Sequence, residues 1–366
     1  MPEQKTIFES PLIEEHRIAH ARLGDFAGCI LPEGFSTFDD EYRAARHAAA
    51  LFDTSGHVNA NFTGRDRVKY LHAITSNNVK DLASDRGTLA LLLSPQGRIL
   101  AELEIYALAE RVLVRSHVSL REQTLATLKK YILGSQVKLE DVTDSTGSLA
   151  VEGPHAIDIV RKVCGTNLQE LSNMAVVDIS VDGIGCQMIA KSHFGQPGAE
   201  FLASRDSLPQ LWHRLRSAVS DAGGAPIGMV ALNSLRLEAG VPWFPVDFND
   251  SVIPHEAAVE GTHISFNKGC YTGQEIVERV RSRGHVNRKR VMLKFSSALP
   301  PLPGTKLRAG DAEVGSVTSS AYSPATGTAI GMGYVRREHN APGSALEYDG
   351  GTAVVADQPA AEGASA

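Results

Sequence analysis

The sequence predicts an α+β fold that ends in a small all-β unit, and three observations lead there. Stretches with helical apolar spacing and stretches with alternating spacing are interspersed from Ser10 to Gly284. Two hairpin signals, Ser94-Pro95-Gln96-Gly97 and Asp182-Gly183, lie between strand-like runs. From Arg290 the composition shifts, with Pro300, Pro301, Pro303, many glycines and short β-like runs.

Ser10 as N-cap and Pro11 at the first helical position open a helix expected to run to Arg22 and stop at Gly24. A second helix is expected over about 39–51, then a tight loop, 52–57, entering a strand at 58–62. Residues 64–74 return to helix. Strands at 89–93 and 99–107 flank the first hairpin turn. In the second of these, Leu103, Ile105 and Ala107 alternate with Glu102, Glu104 and Tyr106, which predicts one polar face. A strand at 111–116, a helix at 119–133 and a strand at 136–142 follow. A second unit opens with a strand at 148–152 and a helix begun by Pro154 and ended near Cys164-Gly165. Strands at 176–180 and 185–191 flank Asp182-Gly183, and 194–203 is loop then strand. Segments 208–222 and 230–239 are helical, the latter closed by Gly240. Irregular Pro-rich chain covers 242–254, and the tail 356–366 is expected to be disordered.

The 366 residues, 43% hydrophobic and 21% charged, are enough for two or three domains. A net charge of −6 gives no global field toward nucleic acid or an anionic membrane. Cys29, Cys164, Cys186 and Cys270 are scattered, without a C-x-x-C or a Cys/His cluster. Neither zinc nor a self-contained iron–sulfur site is indicated. This usage fits a reducing compartment, and no signal pattern or bilayer-length apolar run is present, so a cytoplasmic location without a membrane partner is expected. No metal-binding His spacing, P-loop or G-x-G-x-x-G stretch occurs, so no metal is expected.

The most informative stretch is Lys268-Gly269-Cys270-Tyr271-Thr272-Gly273-Gln274-Glu275. Thr272 and Glu275 have capping-box spacing, and Ile276, Val277 and Val280 share a helical face ahead of the stop at Gly284. Cys270 would then sit at the positive end of a helix, on the same side as the Lys268 ammonium, and both favour a thiolate. Gly269 and Gly273 leave room for close backbone approach. The ordinary alternative is a small buried cysteine.

Other candidates stand against similar alternatives. Glu200, in Gly198-Ala199-Glu200, is a carboxylate able to grip a planar N–H/NH₂ edge with two hydrogen bonds, as a pterin or guanine offers; a solvated surface Glu is the alternative. Arg236 borders the stripe of Leu232, Leu235 and Ala239 and would clamp a carboxylate or pair within the fold. Glu102 and Glu104 offer acid–base chemistry or a solvent-facing strand. Arg279, Arg281, Arg283, His285, Arg288, Lys289 and Arg290 form a basic cluster for RNA, an acidic protein or a polyglutamate tail, or a solvated face. No aromatic platform accompanies it, so direct nucleic acid binding is not expected.

Together these segments resemble the folate-binding superfamily of the glycine-cleavage T protein, an aminomethyltransferase, from about Glu41 to Tyr348. Lys268–Glu275 looks like the K-G-C-Y-x-G-Q-E signature of the YgfZ-type branch, folate-binding factors that support iron–sulfur cluster enzymes, including some that modify tRNA. Leu235–Gly240 with Val241-Pro242 resembles the L-R-L-E-A-G-x-P segment, and Gly198-Ala199-Glu200 the G-x-E segment, whose Glu is expected on the pterin. The resemblance implies three domains around a central channel that binds tetrahydrofolate or a one-carbon derivative. The division expected is 1–56 with 148–287 as folate-binding α+β domain, 57–147 as an inserted α+β domain, and 288–355 as a β-barrel-like domain. Glu102 matches the T protein's Asp near the folate N5, one methylene longer and without the Asp-Asp pair. The implied site is Cys270, Lys268 and Glu102 for chemistry, with Glu200, Arg236, Tyr106, Tyr271 and Gln274 for folate. The implied function is an accessory factor whose partners are folate and iron–sulfur apoproteins or cluster carriers. The alternative is a tetrahydrofolate-dependent aminomethyl- or methyltransferase.

Overall fold

The computed structural model describes residues 7–132 and 134–357. Two compact units emerge, one built from residues up to Ala73 with Asn78–Leu89 and Leu103–Leu232, the other from Ile74–Asn77, Ala90–Glu102 and the residues from Asn233 on.

The first unit carries a six-stranded sheet in the order Val176–Val181, Ile184–Ala190, Gly198–Ser204, Thr146–Glu152, Ala50–Asp53, Ala225–Pro226. Neighbours are antiparallel except the last pair. In helix Ala156–Cys164 the buried Ala156, Ile159, Val160 and Val163 recur at helical spacing, and Gly165 closes it at φ 77°. These side chains join Leu211, Trp212 and Leu215 of helix Leu208–Asp221 and Leu51, Leu149, Met188 and Phe201 of the strands in one apolar core. Asp182 and Gly183, at φ 49° and 87°, form the tight turn their identities predict.

A five-stranded sheet follows the order Arg86–Leu93, Ile99–Ala107, Val112–His117, His57–Thr63, Lys138–Asp141. The strand Ile99–Ala107 does not have a solvent-facing polar edge throughout: Glu104 and Tyr106 are buried and only Glu102 is half-exposed. Alternation was the correct period, but both faces of this strand are covered near residue 104.

Two N-terminal expectations are corrected. The first helix covers only Ile13–Ile18, and Arg22–Phe26 is a strand paired antiparallel with Cys29–Gly34. Ser10 does not cap the helix, because its hydroxyl donates to Asp53 and accepts from the Leu12 amide. The second helix, Phe38–His47, is capped by Thr37, and Ala50–Asp53 is a central strand. A short run such as Ala50-Leu51-Phe52, apolar on every side, fits a buried strand as well as a helix end.

In the second unit, strands Arg288–Phe295, Thr328–Arg336, Ala312–Ser323, Lys306–Ala309, Ala345–Tyr348 and Gly351–Ala356 close a barrel. Val291, Leu293 and Phe295 alternate into its core with Val317, Val335, Leu346 and Val355. Ala356, expected in a disordered tail, pairs with Met292 as the last strand residue; 358–366 lie outside the described residues. Among the described residues no helix is long and apolar enough to cross a membrane.

Candidate functional site

The first unit buries a network of charges. Glu104, Arg115 and Glu200 sit on three strands, with Lys191 and His193 on the loop before Gly198–Ser204 and His57 at the start of its strand. Arg115 holds the network together. Its Nη2 lies 2.6 Å from Glu200 Oε1 and 3.1 Å from Ser148 Oγ, its Nη1 3.4 Å from Glu104 Oε2, and its Nε 3.0 Å from Asn59 Oδ1. Tyr106 donates to Glu104 Oε2 at 2.8 Å, and Lys191 donates to Glu104 Oε1. Thr54 donates to Glu200 Oε1 at 2.9 Å.

Burial works against every charge here, so the net protonation follows from the partners. For Glu200, burial pushes the carboxyl up, but Arg115 and Lys191 outweigh it and hold it well below the carboxylate range. Glu104 is likewise lowered, by Lys191 and Arg115 against burial. His193 is pushed down to about 3, by burial first and then by Lys191. His57 is lowered by burial and Arg115. The cluster therefore holds two carboxylates, two cations and two neutral imidazoles, with no net charge.

This arrangement tests the expected pterin contact. Glu200 is fully buried, and its Oε1 already accepts from Arg115 and Thr54. Its Oε2 accepts no hydrogen bond; Lys191 Nζ is 3.8 Å away and His193 Nε2, also without a partner, 3.6 Å. A two-point grip by both carboxylate oxygens is thus corrected to one open acceptor. An ionised, buried oxygen without a donor, beside a neutral imidazole, fits one N–H of a reduced pterin. Tyr106 shares this cluster through Glu104, with its hydroxyl already committed.

The second unit holds the remaining candidates. Glu102 Oε1 lies 2.8 Å from His263 Nε2. Helix Gln274–Arg283 starts at Gly273, at φ 83°, without a side-chain cap, so the expected Thr272–Glu275 capping box does not form. The left-handed Gly273 does what its type suggests: a Cβ there would meet the Ser94 carbonyl oxygen at 2.6 Å. Gly269, by contrast, faces open space. Cys270 is exposed, whereas Lys268 is buried, donates to the Thr75 carbonyl and lies 4.9 Å over the Tyr271 ring. The two side chains do not share an environment, which corrects the expected Lys268–Cys270 pairing. Burial lowers the Lys268 amine to about 8 and raises the Tyr271 hydroxyl to about 12. Gln274 is half-buried at the first helical position.

Arg236 clamps a carboxylate, but of its own chain. It donates to Asp247, to the Val241 carbonyl at 3.0 Å and twice to Asn233 Oδ1 at 2.9 and 2.7 Å, under the Trp243 ring at 4.5 Å. Arg236 and Asp247 are both fully buried, and the Arg236 nitrogens are committed to partners within the fold. The basic cluster is also largely committed. Arg279 pairs with Glu275, Arg281 with Glu278, Arg288 with Glu256, and Arg290 donates to the Ala257 carbonyl at 2.8 Å.

Sequence reasoning missed Arg115, Lys191, His193, His57, His263 and Asp247. A signal existed for Arg115, a charge that directly follows the apolar run Val112-Leu113-Val114 within one strand, where a buried ion needs a partner. No local pattern marks the others. Among the described residues no group of three or more His, Cys, Asp or Glu is placed to hold a metal.

The family comparisons agree with this architecture. The profile described as the GCVT N-terminal domain matches residues 12–268, and that of the glycine cleavage T-protein C-terminal barrel domain matches 288–359. An aminomethyltransferase of Rubrobacter xylanophilus is 30% identical over 334 residues, 91% of this chain and 88% of that one. One of Saccharopolyspora erythraea is 30% identical over 350 residues, 94% and 95% of the two chains. The crystal structure of the glycine cleavage system aminomethyltransferase T from Bartonella henselae superposes with a TM-score of 0.88 at 24% identity, over 96% of this chain and 98% of that one. That likeness establishes a shared α+β fold with a closed six-stranded barrel. The chain belongs to the glycine cleavage T-protein family. Members of this family use tetrahydrofolate.

Proposed function

We propose that this chain is a tetrahydrofolate-dependent one-carbon transferase of the glycine-cleavage T type. The observation that carries the reading is the open Oε2 of Glu200, a buried carboxylate oxygen kept ionised by Arg115 and left without a donor. Two relatives at 30% identity and near full length, both named aminomethyltransferase, support it over an accessory role. Glu200 would hold the pterin, with Arg115 and Thr54 fixing the carboxylate. When bound, tetrahydrofolate supplies the nitrogen that takes up the one-carbon unit. The test is calorimetric titration of tetrahydrofolate into the parent and Glu200→Gln, each confirmed folded by circular dichroism, followed by turnover with an aminomethyl-lipoyl carrier. A charge-assisted hydrogen bond of about 1.5–3 kcal/mol predicts roughly 10- to 150-fold weaker binding in the variant. Equal affinity, or no turnover by the parent, refutes the reading.

One observation favours the second reading, a folate-binding factor of the YgfZ type that supports iron–sulfur enzymes, including tRNA-modifying ones. Cys270 is exposed in its K-G-C-Y-T-G-Q-E loop, while Cys29 and Cys186 are buried. One thiol cannot hold a cluster alone, so a client or cluster carrier would complete the site. Under this reading Cys270→Ala keeps folate affinity but fails to restore iron–sulfur enzyme activity in a deletion strain. Full restoration excludes it.

A further inference from the structure

The loop 191–197 joins strands Ile184–Ala190 and Gly198–Ser204 and carries two members of the buried cluster, Lys191 and His193. It folds around one carboxylate. Glu152, the last residue of strand Thr146–Glu152 and fully buried, stands opposite Gly198 in the sheet. Its Oε1 accepts from the Ser192 hydroxyl at 2.7 Å, the Phe194 amide at 2.8 Å and the Gln196 amide at 3.1 Å, and its Oε2 accepts from the His193 amide at 2.6 Å. Ser192 Oγ in turn accepts from the Gly195 amide at 2.8 Å. Converging amides of this kind make a concavity for an anion, and here the anion belongs to the fold itself. Gly198 lets the side chain through: a Cβ there would meet the Lys191 carbonyl oxygen at 2.8 Å and Glu152 Cγ at 3.0 Å. Burial pushes the Glu152 carboxyl up to about 7, against donors that all call for the ionised form.

The far side of this loop meets the open oxygen of Glu200. Lys191 donates to Glu104 and lies 3.8 Å from Glu200 Oε2. His193 Nε2, buried and without a partner, lies 3.6 Å from the same oxygen, with its ring edge-on to Phe52 at 5.1 Å. The His193 amide and the His193 ring thus face two different carboxylates. Glu152 holds the backbone, and Glu200 meets the ring. We propose that Glu152 is a positioning residue that acts through His193: it holds the 192–196 backbone so that His193 Nε2 stands beside the open Glu200 oxygen. The functional half of this inference rests on the transferase reading, in which that oxygen takes an N–H of a reduced pterin. Glu152→Gln isolates the effect. The amide keeps one oxygen for the three donors that share Oε1 and turns its NH₂ toward the His193 N–H, so His193 is the residue displaced.

Two measurements on the full chain, both at about pH 8 where Glu152 is ionised, test this. In NMR of ¹³C-labelled histidine and phenylalanine, the histidine signals lost in His193→Phe identify the ring. The parent shows a nuclear Overhauser contact between the His193 and Phe52 rings, and Glu152→Gln, confirmed folded by circular dichroism, loses it. A contact kept at parental strength overturns the proposal. Calorimetric titration of tetrahydrofolate is the second measurement. Glu152→Gln weakens binding roughly 5- to 10-fold, the loss of about one hydrogen bond at the site. His193→Phe weakens it as well, and adding Glu152→Gln to it costs no more than about twofold further, because a residue that acts through another adds nothing once the other is gone. Unchanged affinity in Glu152→Gln, or single effects that multiply in full, leaves Glu152 a role in stability alone and overturns the proposal. Should Glu152→Gln not fold, Glu152→Asp, which keeps the charge and withdraws it by one methylene, is read in the same way. If the parent itself does not bind tetrahydrofolate, the transferase reading fails, and the ring contact alone decides whether Glu152 places His193.

Discussion

Arg115→Met tests the buried charge network most directly. The guanidinium and the Glu200 carboxylate are both fully buried, 2.6 Å apart, so the substitution strands an ion out of water. Removing one partner of such a pair costs about 3–5 kcal/mol. Two hydrogen bonds, to Asn59 and Ser148, are lost as well, at about 1 kcal/mol each. Lys191, 3.8 Å from Glu200 Oε2, recovers part of the loss, and Met preserves the apolar stem. The net expectation is about 4 kcal/mol at neutral pH. Arg115→Met/Glu200→Gln leaves Glu104 paired with Lys191 and removes the stranded charge, so it should be more stable than the single variant by about 2 kcal/mol. The sign of the pH dependence also changes. In the parent, Glu200 lies below its ordinary value of 4.5, so its contribution is complete above that pH and is lost only as pH falls through the lower folded-state value. In Arg115→Met, burial becomes the dominant influence, the folded form binds the proton more tightly, and stability falls as pH rises above the ordinary carboxylate range. Urea unfolding in a Trp243→Phe background reads the first unit alone, because the chain has 2 tryptophans and Trp212 is the one in that unit's core. A variant within about 1 kcal/mol of the parent, or strictly additive single and double variants, would refute the reasoning.

Three further outcomes are expected. Gly273→Ala should lower second-unit stability by about 1–3 kcal/mol, from left-handed strain and the 2.6 Å contact with the Ser94 carbonyl, whereas Gly269→Ala should be neutral; equal melting temperatures would contradict the contact. Iodoacetamide on the native chain should label Cys270 before Cys29 or Cys186, both buried and the latter pushed up to about 12, with peptide mass mapping as readout. Asp247→Ala should cost about 3–5 kcal/mol in the second unit, since it strands Arg236 and empties acceptors for the Trp243 amide at 2.9 Å and the Thr318 hydroxyl at 2.7 Å. Loss of less than about 1 kcal/mol in denaturant unfolding would show that Arg236 finds another partner.

The sequence by itself determined the local elements that short-range chemistry controls. Asp182-Gly183 had to turn tightly, Gly165 and Gly284 had to end helices, and the proline-rich, glycine-rich C-terminal stretch had to form short strands. Each depends on the conformational range of one or two residues, which neighbours in sequence supply. The tertiary structure alone decided which charges meet. Glu104 and Glu200 lie 96 positions apart, and His263 lies 161 positions from Glu102. Their partners are set by strand register and by the order of strands in a sheet, which depend on the summed packing of the whole core. For the same reason Arg236, legible as a clamp, could not be seen to clamp Asp247. Lys268 and Cys270, two positions apart in the motif, part company because one side chain is buried against the Thr75 carbonyl and the other is left in water.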